Sequence, residues 1–304
     1  MNVMRQKWIV VLIVVVMTVG ALWFWQRKNE PRYQGKTVSQ WLAIAKPDKS
    51  RGTNGQLSFI FTGISGHREI QRMLDALGSN AAPSLIKILD DGDSTMAKLK
   101  TAVVQSKWAP VSIKSAASAD LIDLHGSLAI AGDAIRYLGS NAVHIAPDLE
   151  RIICDPENMR GAHSAAGALA GFGLQALPAL RRSLTNAPPS RQQVIHVVIQ
   201  GIYREALKSS DARDREAAAL GLSVYPRPPF EMIFVLLDML KSPDPKRQRQ
   251  SLAALAIHLP TVAPSLVVAR EAVTKAAASD DPEIRRLANE ILVNLIRLDS
   301  EGKP

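Results

Sequence analysis

Leu77-Gly78-Ser79-Asn80-Ala81 returns letter for letter as Leu138-Gly139-Ser140-Asn141-Ala142. Each copy closes an apolar pattern of helical period and is followed by a proline, Pro83 or Pro147, that suits the first turn of another helix. A looser copy, Phe172-Gly173-Leu174-Gln175-Ala176, leads into Leu177-Pro178. Glycine fits the left-handed residue just past a helix end. A recurring helix–turn–helix unit cannot bury its apolar face until a neighbour stacks on it, so the repetition predicts an all-α chain built as an α-solenoid.

The stripes around these turns fix the units. Ile70, Met73, Leu74 and Leu77 stand at i, i+3, i+4 and i+7, and Leu85, Ile86, Ile88 and Leu89 follow the turn. Leu128, Ala131, Ile135 and Leu138 precede the second turn, and Leu149, Ile152 and Ile153 follow it. Ala162, Ala165, Leu169 and Phe172 precede the third, with Leu177, Leu180 and Leu184 after it. Asp155-Pro156-Glu157 and Asp281-Pro282-Glu283, with Asp244-Pro245, read as helix starts: aspartate accepts the free N–H groups and proline tolerates the first position. Stripes follow Asp244 (Leu252, Leu255, Ala256, Leu259) and Asp281 (Ile284, Leu287, Ala288, Ile291, Leu295, Leu298). Residues 95–125 and 186–210 read as less regular helical segments, divergent units of the same array.

Trp8 through Trp25 is eighteen residues without a charge, about 27 Å as a helix and enough for a bilayer core. Bulky Trp23-Phe24-Trp25 stands where a signal peptidase would need small residues, so the segment is expected to be an uncleaved single-span anchor. Positive charges flank both sides and do not orient it. The seven-residue tail ahead of the span points to translocation of residues 26–304 away from the cytoplasm. The chain therefore divides into a tail at 1–7, an anchor at 8–25, a linker, cap helix and loop at 26–66, the helical array at 67–298, and a tail at 299–304.

Gln26 to Lys36 reads as a polar linker. Thr37 with Gln40 three residues on has the form of a capping box, opening a short helix with Val38, Trp41, Leu42 and Ala45 on one face. It is expected to cover the first end of the array. Lys46 to Gly66 reads as loop around the apolar Leu57-Ser58-Phe59-Ile60-Phe61.

Paired helices of this length, with glycine in the middle turn and Asp-Pro at the helix start, resemble HEAT repeats over about residues 67–298. Tyr33-Gln34-Gly35-Lys36-Thr37-Val38-Ser39-Gln40-Trp41-Leu42 is similar to an opener of membrane-anchored or secreted bacterial HEAT-repeat proteins. The resemblance implies a protein-interaction scaffold, periplasmic on the topology above, and brings no catalytic residues with it.

The residues themselves speak against most chemistry. The net charge of +9 suggests nucleic acid until it is divided: residues 1–36 hold six basic side chains against Glu30, leaving +4 for the remaining 268 residues. The six histidines never stand within four residues of one another, and no metalloprotease or phosphate-loop motif occurs. Gly35-Lys36-Thr37 lacks the upstream glycine of a phosphate loop. Asp90, Asp91 and Asp93 around Gly92 lack the later glutamate of a calcium loop and read as an acidic turn. Cys154, the sole cysteine, is expected to be a buried structural thiol. Gly161, Gly167, Gly171 and Gly173 among alanines read as a small-residue helix that a neighbour approaches closely.

No cofactor, metal or small-molecule substrate is expected. The partner is a protein or peptide, bound on the concave surface lined by second helices, with Arg181 and Arg182 as the candidate contact residues. The rival readings are a helical-repeat lyase or glycosylase, for which no Asp, Trp and Tyr constellation is visible, and a structural envelope protein.

Overall fold

The structure, a computed structural model, describes residues 30–44, 67–258 and 266–300. The expected anchor at 8–25 and the loop at 46–66 lie outside these residues, as does Ala45 of the expected cap helix. Apart from one small hairpin the described chain is helical, as the patterns require. It divides into two compact units, one comprising the chain through Phe172 with Thr185–Arg191, the other Gly173–Leu184 with Gln192 onward.

The first unit opens on a hairpin where a linker was expected. Strands β1 (Arg32–Tyr33) and β2 (Lys36–Thr37) pair antiparallel across Gln34 and Gly35, both at positive φ, the two-residue turn that suits the strand twist. Helix α1 (Val38–Ile44) follows, with the capping box made: the Thr37 amide donates to Gln40 Oε1 at 2.9 Å and the Gln40 amide to Thr37 Oγ1 at 3.3 Å. Trp41 Nε1 donates to the Tyr33 carbonyl at 3.0 Å, and Lys36 Nζ lies 4.7 Å from the Trp41 ring centre. The Tyr-x-Gly-Lys opener is thus a folded clasp, in which Gly35 completes the turn and Lys36-Thr37 forms the second strand.

Helices α2 (His67–Leu77) and α3 (Ala82–Asp90) form the first pair. After α4 (Thr95–Gln105) come α5 (Val111–Leu138), α6 (Ala146–Cys154) and α7 (Met159–Leu169). Two rows result. α2, α5 and α7 touch in succession, and so do α3 and α6, with α3 also against α5 and α6 against α7. The predicted stripes supply the core: Met73, Leu85, Leu89, Ala131, Ile135, Leu149 and Ile152 are fully buried. Burial of side chains of this size contributes roughly 1.5–3 kcal/mol each.

The glycine turns behave as their recurrence demands. Gly78, Gly139 and Gly173 all have positive φ, at 53°, 56° and 58°. At Gly139 and Gly173 ψ is near −140°, outside the left-handed helical well and open essentially to glycine alone. Three residues on, Ala81, Ala142 and Ala176 are fully buried, so the turn needs a small side chain there as well. Gly139 is 34 residues before Gly173 but 61 after Gly78. The difference is taken up by α4 and the first half of α5, a helical excursion that the sequence reads as a divergent unit.

The small-residue helix is packed as expected. A Cβ on Gly161 would stand 2.0 Å from the Leu89 carbonyl oxygen, and one on Gly171 would stand 2.4 Å from that of Arg136. One helix start differs from expectation. Asp155 accepts from the Glu157 amide at 2.9 Å, but α7 begins only at Met159, and Asn158 caps it by accepting from the Gly161 amide at 2.9 Å. Asn158 is buried and its side-chain amide also donates to the Leu89 carbonyl, so the cap doubles as a bond between helices. Arg191 is likewise buried; its guanidinium donates to the carbonyls of Ile153, Asp155 and Pro156, closing the chain ends beside α6.

In the second unit α8 (Leu177–Asn186) and α9 (Pro189–Ala206) supply their greater parts. Then follow α10 (Ala212–Leu222), α11 (Glu231–Leu240), α12 (Pro245–His258), α13 (Leu266–Ala277) and α14 (Pro282–Ser300), the last running two residues past the expected boundary. Again α10, α12 and α14 touch in succession, and α11 touches α13. Asp211, Asp244 and Asp281 each accept the amide two residues on, at 2.8, 2.9 and 2.9 Å. Two residues ahead of each, Ser209, Ser242 and Ser279 accept that aspartate's own amide, so Ser-x-Asp is the full cap.

Candidate functional site

Arg181 and Arg182 lie side by side on α8, both exposed. Arg181 Nη2 donates to the Tyr203 hydroxyl at 2.8 Å. Tyr203, on α9, is buried, and its ring lies flat against Gly221 of α10, where a Cβ would stand 2.2 Å from the ring. Tyr225, just past α10, has its phenol pushed up by burial first and by the Tyr203 phenol next, with the Arg181 guanidinium opposing both. His196 meets the Tyr225 ring edge-on, centroids 6.1 Å apart, and its Nδ1 is buried without a hydrogen-bond partner among the described residues.

The second unit thus gathers one guanidinium, two phenols and an imidazole, with the Tyr203 ring packed on Gly221. Hydrogen-bond donors against aromatic faces suit a carboxylate or a peptide carbonyl. Of the two predicted residues, Arg181 is engaged with Tyr203, and both side chains are exposed. The tyrosines and histidine escaped sequence reading. His196, Ile199 and Tyr203 do stand at i, i+3 and i+7, a stripe inside a segment whose mixed polarity hides it.

The other basic group, Lys246-Arg247-Gln248-Arg249, stitches helices together. Arg247 pairs with Glu216 of α10, and Arg249 Nη1 with Glu283 of α14 at 2.9 Å, so the first-helix row carries an ion pair at each step. The acidic turn after α3 is occupied by arginines. Arg151 bonds both oxygens of Asp90 at 3.0 and 3.2 Å, and Arg160 bonds Asp93 at 2.5 Å while its Nη2 reaches Thr101 at 2.7 Å. Cys154 is half-buried at the end of α6, more open than expected, because it is the last helical residue rather than a mid-stripe one.

A different surface lies on the excursion of the first unit. Met96 and Leu99 on α4, and Trp108, Val111 and Ile113 beyond it, are large, apolar and exposed, with Trp108 95% and Val111 84% open. Between Val111 and Ser127 only Ala117 is buried, and in α4 only Ala97.

The described chain is therefore an all-α protein of helices stacked in pairs. No family model matches it, and neither does any curated protein. Among solved structures it is similar to an engineered protein determined by a structural genomics consortium, at 16% identity over 75% of this chain and 97% of that one, with a TM-score of 0.28. So slight a likeness carries no argument.

Proposed function

We propose that the chain is a membrane-tethered, non-catalytic scaffold of the HEAT-repeat kind, an α-solenoid that binds a protein or peptide partner on a concave face lined by second helices. The observation that supports this reading most is the repeated step in the second unit. Ser-x-Asp caps recur at 211, 244 and 281, and the three helices they open are joined in succession by two ion pairs. A chain that repeats its joints in this way is built to extend a surface. On that surface Arg182, beside the Arg181–Tyr203 contact, would meet an acidic or carbonyl-rich segment of the partner. The uncharged stretch from Trp8 to Trp25 would hold the scaffold at the bilayer, with the helices outside the cytoplasm. Among the described residues no helix is long and apolar enough to cross a membrane, so the tether rests on that stretch alone.

The test is site-specific photo-crosslinking in intact cells. A benzophenone side chain at Arg182 is expected to give one dominant adduct, and the same probe at the exposed Arg286 of α14 none. Equal, diffuse labelling from both positions would sink the docking surface. Digestion of residues 26–304 by protease added to spheroplasts is the expected topology result; full protection would reverse it.

A further inference from the structure

We propose that the excursion formed by α4 and the first half of α5 is a second membrane contact, a surface that docks on anionic lipid. The inference rests on the tethered reading above. From Thr95 to Lys114 the chain carries Lys98, Lys100, Lys107 and Lys114 and no carboxylate, with Asp120 and Asp123 following farther along α5. Lys98 and Lys100 pair with Glu157 and Asp120, while Lys107 and Lys114 flank the tryptophan. Trp108 stands at the bend between the helices, almost wholly exposed, with Val111 and Ile113 just beyond it. An exposed indole with aliphatic neighbours and lysines is the composition that settles at a headgroup boundary: the ring favours the interface and the ammonium groups favour phosphate.

The excursion also has little else to hold it. Ahead of Leu128 the two helices bury one alanine each, and Met96, Leu99, Trp108, Val111, Ile113 and Ile122 are left exposed. A second copy of the chain is the competing occupant. It would bring the same lysines to face one another, which like-charge repulsion disfavours, whereas an anionic surface complements them. Near such a surface each lysine strengthens binding roughly fivefold.

The experiment uses the full chain in phosphatidylcholine vesicles with and without phosphatidylglycerol, and an environment-sensitive fluorophore on Ser112→Cys in a Cys154→Ala background. With phosphatidylglycerol present, blue-shifted emission quenched by acyl-brominated lipid is expected. Trp108→Ala should abolish most of it, and Lys107→Glu with Lys114→Glu should lower the docked fraction roughly tenfold or more. High salt should act in the same direction. Circular dichroism unchanged by these substitutions guards against misfolding. Water-like emission on anionic vesicles that still hold the chain against alkaline extraction would overturn the docking and leave the tether standing. Quenched emission from a chain that alkali releases would overturn the tether and leave the docking. Emission that follows protein density and ignores phosphatidylglycerol would assign the surface to a second copy and overturn the proposal.

Discussion

The first-helix row of the second unit and the excursion of the first unit are made of similar amphipathic helices, yet they are held in opposite ways. In the row, α12 and α14 each rest on the helix before them in the row through a buried stripe, a repeated cap and an ion pair. His258, buried on α12, adds a bond from Nε2 to the Ser223 carbonyl at 2.7 Å. The excursion is fixed chiefly at its base, where Arg160 holds Asp93 and Thr101 while Asn158 holds the carbonyls of Leu89 and Asp90. Regular stacking spreads stability over many equal joints; the excursion concentrates it at one and leaves the remainder open to solvent.

That contrast can be broken hardest at the base. Gly161→Ala forces a Cβ onto the Leu89 carbonyl, backbone against backbone, and is expected to cost about 3 kcal/mol or more, read as a large fall in the denaturant midpoint. If stability is unchanged, the close approach of α7 to α3 is wrong. In the row, by contrast, losing one joint should be survivable. Asp244→Ala removes the cap of α12 and should cost about 1 kcal/mol, with Asn largely restoring it. A double-mutant cycle between Glu216 and Arg247 should give a coupling of about 0.5–1 kcal/mol, diminished by salt because the pair is partly exposed. Coupling near zero would remove the ion pair from the account of how the row holds. Smallest of all, Met96→Ser and Leu99→Ser on the excursion should shift thermal stability by no more than about 0.5 kcal/mol. A loss of several times that would mean these side chains are covered.

What could be read without coordinates follows the same division. Where the chain repeats its joints, the letters repeat too. The glycine turns, the stripes from Ile70 to Leu295 and the capping box at Thr37 were legible because each rests on one local rule. The serines at 209, 242 and 279 and the cap at Asp211 are equally local, but Asp211 has no proline after it to mark the helix start. The excursion was less legible because its helices lack a buried stripe, and periodicity is strongest where one face is covered. Least legible was the gathering of Tyr203, Tyr225 and His196 near Arg181. A cluster drawn from three segments leaves no spacing in the sequence, and only the packing of Tyr203 on Gly221 brings it together.

The clasp at the start of the described chain has a mechanical meaning. Glu30 accepts from both the amide and the hydroxyl of Ser39, at 2.9 and 2.7 Å, and Trp41 grips the Tyr33 carbonyl across the hairpin. A pull on the chain ahead of Glu30 is therefore met by the hairpin, the carboxylate bond and the indole before it reaches the stacked helices. The short opener works as a strain relief, keeping load on the leading segment out of the first helical pair.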